Sequence, residues 1–299
     1  MRTANAHLEA GLGIEWAERA PLDALNSMGL RATARLLATV HNEDGLIAFL
    51  KWAWSEGEDF ILLGGGTNVI FANEYLDRVV LVLGGDFAQL QVNGRGITTG
   101  AAVPLAQLVQ EACRAGLAGL EAAVGIPGAL GGALRGNAGA FDWSIGDCVE
   151  WIDVFGRDGD KRRLMAADAG FAYRRSALGD RVLARARLAL RPDDPDRIRE
   201  RMDQTWQRRS RQPYGARSAG CIFKNPPGEK AARLIDAAGL KGERCGGAVV
   251  STVHANFIVN EGRATGPDVL SLIDLVRRRV RETSNIELET EVQIFRSVE

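Results

Sequence analysis

Residues Gly125–Ala140 read Gly-Ile-Pro-Gly-Ala-Leu-Gly-Gly-Ala-Leu-Arg-Gly-Asn-Ala-Gly-Ala, with six glycines and one proline. Glycine loses much backbone entropy on folding, so this density requires a physical reason. Close approach is such a reason, because backbone N–H groups without a neighbouring Cβ can form a nest around an anion. A flexible linker is the alternative, but linkers are usually polar and rich in serine, whereas Ile126, Leu130 and Leu134 interrupt this stretch. We therefore predict a ligand-cradling loop.

The bulk composition is that of an ordinary water-soluble protein. The chain has 299 residues, enough for two or three domains, with 46% hydrophobic and 25% charged residues. A formal net charge of -1 provides no long-range attraction to nucleic acid or to an anionic membrane. Residues 1–20 carry scattered charges instead of the apolar core of a signal peptide. No apolar run approaches the ~18 residues of a membrane span.

Cysteine and histidine usage narrows the class of site. Cys113, Cys148, Cys221 and Cys245 are widely spaced and form no Cys-x-x-Cys pair, which is typical of thiols in a reducing cytoplasm. The three histidines stand at no metal-ligand spacing. We therefore expect a cytoplasmic protein without a metal site.

A second glycine-rich stretch follows a predicted buried strand. The strand Phe60–Leu63 leads directly into Gly64-Gly65-Gly66-Thr67-Asn68. A strand that ends in a glycine loop is a frequent phosphate site, because backbone amides can turn toward the anion. The stretch matches neither the dinucleotide-binding fingerprint nor a Walker A loop. Taken alone, it suits a tight turn equally well.

Hydrophobic periodicity predicts many short elements. Helices are expected over Asn42–Trp54, Pro104–Ala115 and Lys230–Ala238, in the charged segment 197–211, and from Thr265 onward. Strands are expected at Phe60–Leu63, Val79–Leu83, Cys148–Val154, Val182–Leu190 and Ile286–Phe295, with a strand pair around Asn93-Gly94. Residues 1–20 are expected to form a loosely ordered or helical lead-in, and Pro192–Asp196 a domain boundary.

Two further groups of residues suggest chemistry. Tyr173-Arg174 is either a surface pair or an aromatic-flanked cation that holds an anion. Glu287, Glu289 and Glu291 would share one face of an alternating strand. The simpler interpretation of these glutamates is a solvent-facing row.

Taken in order, the motifs resemble those of the UDP-N-acetylenolpyruvoylglucosamine reductase family of peptidoglycan synthesis. The resemblance covers roughly residues 21–295. It rests on Gly64–Asn68, Gly125–Gly128, Gly131–Ala133, Asn137–Ala140, Tyr173-Arg174 with Ser176, Gln212-Pro213, Ser218–Gly220, Phe223–Pro226 and Leu288–Val292.

The resemblance implies an α+β fold. An FAD-binding region of two α+β subdomains, of the vanillyl-alcohol-oxidase type, would precede a C-terminal α+β substrate-binding domain. The implied divisions are 1–84, 85–195 and 196–299. The short gap between Arg174 and Gln212 is similar to that of the shorter, second type of family member.

The resemblance also implies the cofactors FAD and NADPH, UDP-N-acetylglucosamine-enolpyruvate as substrate, and a monomer. Arg174 would hold the substrate carboxylate, Glu291 would orient the same group, and Cys221 would protonate C2. The implied cofactor contacts are Gly64, Gly65, Gly66, Thr67, Asn68, Gly125, Ile126, Pro127, Gly128, Gly131, Gly132, Asn137, Ala138, Gly139 and Ala140. The implied substrate contacts are Tyr173, Arg211, Gln212, Lys224, Asn225, His254 and Asn256.

The sequence departs from the family pattern at four positions. Cys221 stands where serine is common, and a thiol is the stronger acid of the two. Arg211 and Val253 stand where lysine is common, and Gly136 replaces a bulkier residue. Two alternatives are another non-covalent FAD oxidase of the same superfamily and a sugar-nucleotide binder without catalysis.

Overall fold

The computed structural model describes residues 12–297, which form two compact units. The first consists of residues 12–18, 36–65 and 79–209, and the second of residues 19–35, 66–78 and 210–297. The sequence predicted three parts, divided at residues 84 and 195. That division stays a prediction.

The elements are short and alternate along the chain. The described strands are β1 (Ile14–Pro21), β2 (Thr33–Val40), β3 (Phe60–Leu63), β4 (Val69–Phe71), β5 (Tyr75–Leu83), β6 (Leu90–Asn93), β7 (Gly96–Gly100), β8 (Leu117–Ala118), β9 (Gly139–Ala140), β10 (Trp143–Ser144), β11 (Val149–Phe155), β12 (Lys161–Met165), β13 (Val182–Ala189), β14 (Arg191–Pro192), β15 (Ser218–Cys221), β16 (Arg244–Cys245), β17 (Ala248–Val250), β18 (Phe257–Asn260) and β19 (Gln293–Phe295). The described α-helices are α1 (Glu43–Glu56), α2 (Leu105–Arg114), α3 (Leu130–Arg135), α4 (Pro195–Arg209), α5 (Ala231–Ala237) and α6 (Gly266–Ser284). The helices and strands predicted inside the chain are confirmed, with one exception near residue 290.

A sheet of order β1-β2-β5-β3 leads to the first glycine loop. β3 runs parallel to β5, with Leu63 opposite Val82, so its carboxyl end delivers Gly64 at the sheet edge. Helix α1 begins where the Asn42 side chain accepts a hydrogen bond from the Gly45 N–H, and it ends at the left-handed Gly57.

The start of the described chain differs from the prediction. A helical or loose lead-in is wrong for residues 14–20, because they lie in β1. Trp16 packs edge-on against Trp52 at 5.1 Å between ring centroids, and this aromatic contact favours the strand. The earlier part of the expected lead-in lies outside the described residues.

The rest of the first unit is an antiparallel sheet of order β12-β11-β13-β7-β6 with small flanking ladders. β9 pairs with β10, and β8 with β14. Buried apolar residues of α1, α2, α3 and both sheets form one hydrophobic core. Helix α4 buries Ile198 and Arg209 and is otherwise largely solvated, as its charge predicts.

The second unit contains an antiparallel sheet of order β15-β18-β17-β16. Helix α6 begins at a capping box formed by Thr265 and Asp268 and ends at the left-handed Asn285. β19 runs parallel to β4, with Ile294 opposite Ile70. Among the described residues, no helix combines the length and hydropathy that a membrane crossing requires.

The predicted strand Ile286–Phe295 is wrong in extent, because regular pairing covers only Gln293–Phe295. Before it, Thr290 makes a single antiparallel bridge with Phe223. The segment changes partner within three residues, and no continuous alternating strand forms. The expectation that Glu287, Glu289 and Glu291 share one face rested on that strand, which does not form at these residues.

Candidate active site

The two glycine-rich loops meet within the first unit. A Cβ on Gly65 would lie 2.7 Å from the Gly128 Cα and 3.2 Å from the Ala129 nitrogen, a separation that only glycine permits. Gly131 donates its N–H to the Ala101 carbonyl at 2.8 Å. The structure therefore brings Gly64 and Gly65 to the stretch that we predicted as a ligand cradle.

The face of the second loop is open in two places. Apart from its chain neighbours and the backbone of its own helix, no heavy atom of the described residues lies within 4 Å of the place where a Cβ of residue 132 would stand. At Gly136 the nearest atom to that place is the Gly132 oxygen, at 3.6 Å. Backbone at these glycines can be reached by a ligand. The glycine at 136 leaves space that a larger residue could fill.

Asn137 organises the second loop from inside. It is buried and has φ 41°, in the left-handed region. Its Oδ1 accepts the Gly146 N–H at 3.0 Å, and its Nδ2 donates to the Ala172 carbonyl at 3.1 Å. The amide thus connects the loop to the segment that carries Arg174, while the predicted contacts of residues 125–140 with a cofactor stay predictions.

Arg174 lies at the tip of a tight turn closed by two hydrogen bonds between the backbones of Ala172 and Arg175. Its φ is 55°, a conformation that costs a non-glycine residue about 1–2 kcal/mol and often marks functional sites. Its Nη2 donates to the Gly139 carbonyl at 3.1 Å. Its guanidinium lies 5.3 Å from the ring centre of Tyr173, which is 56% exposed. The predicted anion-holding pair is thereby fixed to the predicted cofactor loop.

The second unit contains the remaining residues of the first glycine loop. Gly66 has φ 62°, and a Cβ there would lie 1.9 Å from the Leu25 oxygen. Asn68 donates its Nδ2 to the Glu291 carbonyl at 3.3 Å and accepts the Gln293 N–H at its own carbonyl. Sequence reasoning missed this link, because nothing local relates residues 68 and 291.

Cys221 and Glu291 belong to adjacent segments of the second unit. Cys221 ends β15 opposite Phe257 and is half-buried. The next residue, Ile222, accepts the Glu291 N–H at 2.8 Å. The predicted proton donor, Cys221, is therefore adjacent in sequence to Ile222, whose carbonyl accepts the Glu291 N–H.

Most predicted substrate contacts also lie in this unit. Lys224 forms an ion pair with Glu289, and Asn225 accepts the Ala231 N–H at 3.0 Å. Arg211 is exposed and Gln212 half-buried in the turn after α4. These roles stay predictions, and the Lys224–Glu289 pair is a contact that the sequence did not predict.

His254, Val253 and Asn256 differ in how far they are buried. The imidazole packs edge-on against Phe257 at 4.9 Å, and burial lowers the pKa of His254. Val253, at the lysine position of the family, is 60% exposed. Asn256 is buried, and both atoms of its amide bond the backbone of Phe223.

A polar cavity of about 610 Å³ in the first unit was not predicted. Its lining includes Trp143, Arg191 and Arg208, and it contains Arg201, which bonds both Glu121 and Asp193. Nearby, burial raises the pKa of the Cys148 thiol to about 11, which makes this cysteine an unreactive core residue. Within residues 12–297, no group of three His, Cys, Asp or Glu side chains is arranged to hold a metal ion.

Comparisons with known proteins agree over most of the chain. The family model "UDP-N-acetylenolpyruvoylglucosamine reductase, C-terminal domain" matches residues 212–295, and the model "FAD binding domain" matches residues 34–164. UDP-N-acetylenolpyruvoylglucosamine reductase 2 of Symbiobacterium thermophilum is 41% identical over 92% of this chain and 90% of its own. The Heliobacterium modesticaldum reductase is 38% identical over 94% of this chain and 91% of its own.

A solved structure supports the same relationship. The crystal structure of the reductase from Thermus caldophilus has a TM-score of 0.82 and 37% identity, and the match covers 94% of this chain and 98% of that chain. These findings confirm the predicted α+β fold class, with an FAD-binding region followed by a C-terminal α+β domain.

Proposed function

Because this chain belongs to the UDP-N-acetylenolpyruvoylglucosamine reductase family, we propose that it reduces UDP-N-acetylglucosamine-enolpyruvate to UDP-N-acetylmuramate with NADPH as reductant. The observation that carries this proposal is Arg174, held in a left-handed turn and bonded to the Gly139 carbonyl of the glycine loop. A half-buried guanidinium that is held at the tip of a turn is better suited to bind a substrate carboxylate than to form a surface ion pair.

The residues of the glycine loops fit FAD. Gly65 and Gly128 approach so closely that no side chain could come between them, and the Gly132 face is open. Residues 64–68 and 125–140 would hold the cofactor through backbone N–H groups. FAD bound there would supply the hydride chemistry that connects NADPH with C3 of the enolpyruvyl double bond.

In this reaction the side chains of the protein would stabilise negative charge and donate one proton. As C3 is reduced, negative charge develops on C2 and on the substrate carboxylate. Arg174 would bind this carboxylate and stabilise the developing charge. Cys221 would donate its thiol proton to C2, and Glu291 would orient the carboxylate that Arg174 binds. Tyr173, Arg211, Gln212, Lys224, Asn225 and His254 would contact the rest of the substrate.

The experiment measures the two half-reactions of the purified protein under anaerobic conditions. We expect NADPH to reduce the flavin once without substrate, and continued NADPH oxidation after UDP-N-acetylglucosamine-enolpyruvate is added. A flavin that the substrate cannot reoxidise would contradict the proposal and favour the binder without catalysis. Reoxidation by O₂ alone would favour the oxidase.

A cysteine pair tests the proton donor. In Cys221→Ala we expect flavin reduction at the normal rate and reoxidation slower by about 10²–10⁴-fold, the usual contribution of a general acid. Cys245→Ala is the matched control, because Cys245 is a half-buried thiol of the same unit in β16. Equal loss of both half-reactions in Cys221→Ala would refute this role.

A further inference from the structure

The side chain of Asn256 takes the place of a peptide group beside the Cys221 segment. Its Oδ1 accepts the Phe223 N–H at 2.9 Å, and its Nδ2 donates to the Phe223 carbonyl at 2.8 Å. The backbone carbonyl of Asn256 also accepts the Ile222 N–H at 2.9 Å. A primary amide has the donor and acceptor of a peptide unit, so one residue satisfies three backbone groups.

The opposite side of the same segment is bound by residues 289–291. Ile222 accepts the Glu291 N–H at 2.8 Å, and the Lys224 N–H donates to the Glu289 carbonyl at 2.9 Å. Phe223 forms the bridge with Thr290 between these two bonds. Residues 222–224 are therefore held between Asn256 and the segment of Glu291.

These hydrogen bonds are costly to lose because both residues are buried. Asn256 is 3% exposed and Phe223 is 2% exposed, so water cannot replace a lost partner. Without the amide, the Phe223 N–H and carbonyl would be left unsatisfied, and residues 222–224 would have to shift to reach new partners. Cys221 precedes this segment and the Glu291 N–H bonds its Ile222 carbonyl, so both residues would move with it.

We infer that Asn256 is a positioning residue, which fixes Cys221 and Glu291 by clamping the backbone of Phe223, and is not a substrate ligand. This inference rests on the proposed function, in which these two groups serve the protonation of C2. Correct alignment of a proton donor is sensitive to shifts of about 1 Å, which can cost about 10²-fold in rate.

The variants are Asn256→Ala and Asn256→Asp, with Asn260→Ala as matched control. Asn260 is the last residue of β18, whereas Asn256 directly precedes that strand. Asn260 is also buried, but its amide bonds Met28, Gly262 and Ala264. The aspartate variant keeps the shape and the acceptor of Asn256 and removes the donor, and it serves if the alanine variant fails to fold.

In both Asn256 variants we expect flavin reduction by NADPH within twofold of the wild type and reoxidation by substrate slower by about 10²-fold, with the KM for substrate little changed. Asn260→Ala should lose thermal stability while both half-reactions stay within twofold. Normal reoxidation in the Asn256 variants, or equal slowing in Asn260→Ala, would overturn the inference.

A second readout does not depend on turnover. We expect the rate at which iodoacetamide alkylates Cys221, measured against Cys245 by mass spectrometry, to change several-fold in the Asn256 variants and not in Asn260→Ala. An unchanged ratio would overturn the positioning role. A changed ratio in a protein that never reduces the enolpyruvyl substrate would support positioning and contradict only the proposed function.

Discussion

At the residue scale, Arg174 combines a strained backbone with a fixed guanidinium. The left-handed φ and the bond to Gly139 hold the side chain before any ligand arrives. Such preorganisation is the main way in which donors stabilise charge that develops during a reaction. Its neighbour Arg175 is exposed in the same turn and offers a matched comparison.

We predict that Arg174→Lys slows flavin reoxidation by substrate about 10²–10³-fold, the usual cost of losing one preorganised donor. Lysine keeps the charge but cannot present two donors in a planar fork. Flavin reduction by NADPH should be unaffected, and Arg175→Lys should behave as the wild type in stopped-flow measurements of both half-reactions. Equal effects of the two substitutions would contradict the assignment.

His254 connects burial to pH dependence. Because burial lowers the pKa of His254 in the folded state, the unfolded chain takes up the proton more readily as the pH falls below the ordinary histidine value of about 6.5. The contribution of neutral His254 to stability is therefore complete above that pH and is lost below it, until the folded-state pKa is reached.

We predict that the free energy of unfolding of the wild type, minus that of His254→Phe, falls as the pH is lowered from 7 to 5. The slope is at most about 1.4 kcal/mol per pH unit for one proton. Urea unfolding at several pH values measures it, and carboxylates common to both proteins cancel in the difference. A flat difference would show that His254 titrates normally.

At the element scale, glycines in the two loops serve different purposes: one permits close packing of the backbone, and the other leaves room for a ligand. Gly65 is needed because its Cα faces Gly128 at a distance that excludes a side chain, whereas Gly132 is in helix α3 with open space beside it. The two glycines should therefore respond differently to the same substitution.

We predict that Gly65→Ala destabilises the apoprotein, and that Gly132→Ala leaves it as stable or up to about 1 kcal/mol more stable, because alanine favours a helix over glycine. Both substitutions should weaken FAD binding in a fluorescence titration, the second by occupying the open face. Wild-type FAD affinity in Gly132→Ala would remove that position from the cofactor site.

At the scale of the whole molecule, the second unit is built from separated parts of the chain. Its core includes Met28, Leu30 and Ile70 together with residues after 210. Asn260 donates to the Met28 carbonyl at 2.8 Å, and β19 pairs with β4. A domain that begins near residue 196 would lack all of these contacts.

We predict that a fragment of residues 196–299 has no cooperative thermal transition by circular dichroism, while the full chain has one. Truncating a single fully buried side chain costs about 2–5 kcal/mol, so the loss of three is comparable to the whole stability of a typical domain, about 5–15 kcal/mol. A cooperative transition in the fragment would support the three-part division instead.

The sequence by itself determined the local features of this protein. Asn42 and Thr265 specify helix starts through their own side chains, and the glycines of residues 64–66 and 125–139 specify loops through their lack of Cβ. The ordered motifs from Gly64 to Glu291 were also sufficient to predict the family. These signals lie within a few residues of the feature that they predict.

Only the tertiary structure decided which distant segments meet. The amide of Asn256 was predicted to contact substrate, yet the structure has it bonded to Phe223, and Asn68 is linked to Glu291 across more than two hundred residues. The segment 286–295 splits its pairing between Phe223 and Val69 and does not form the strand that its alternation predicts. Periodicity reports only which faces are apolar, whereas pairing depends on which partner satisfies the buried backbone groups at the least cost.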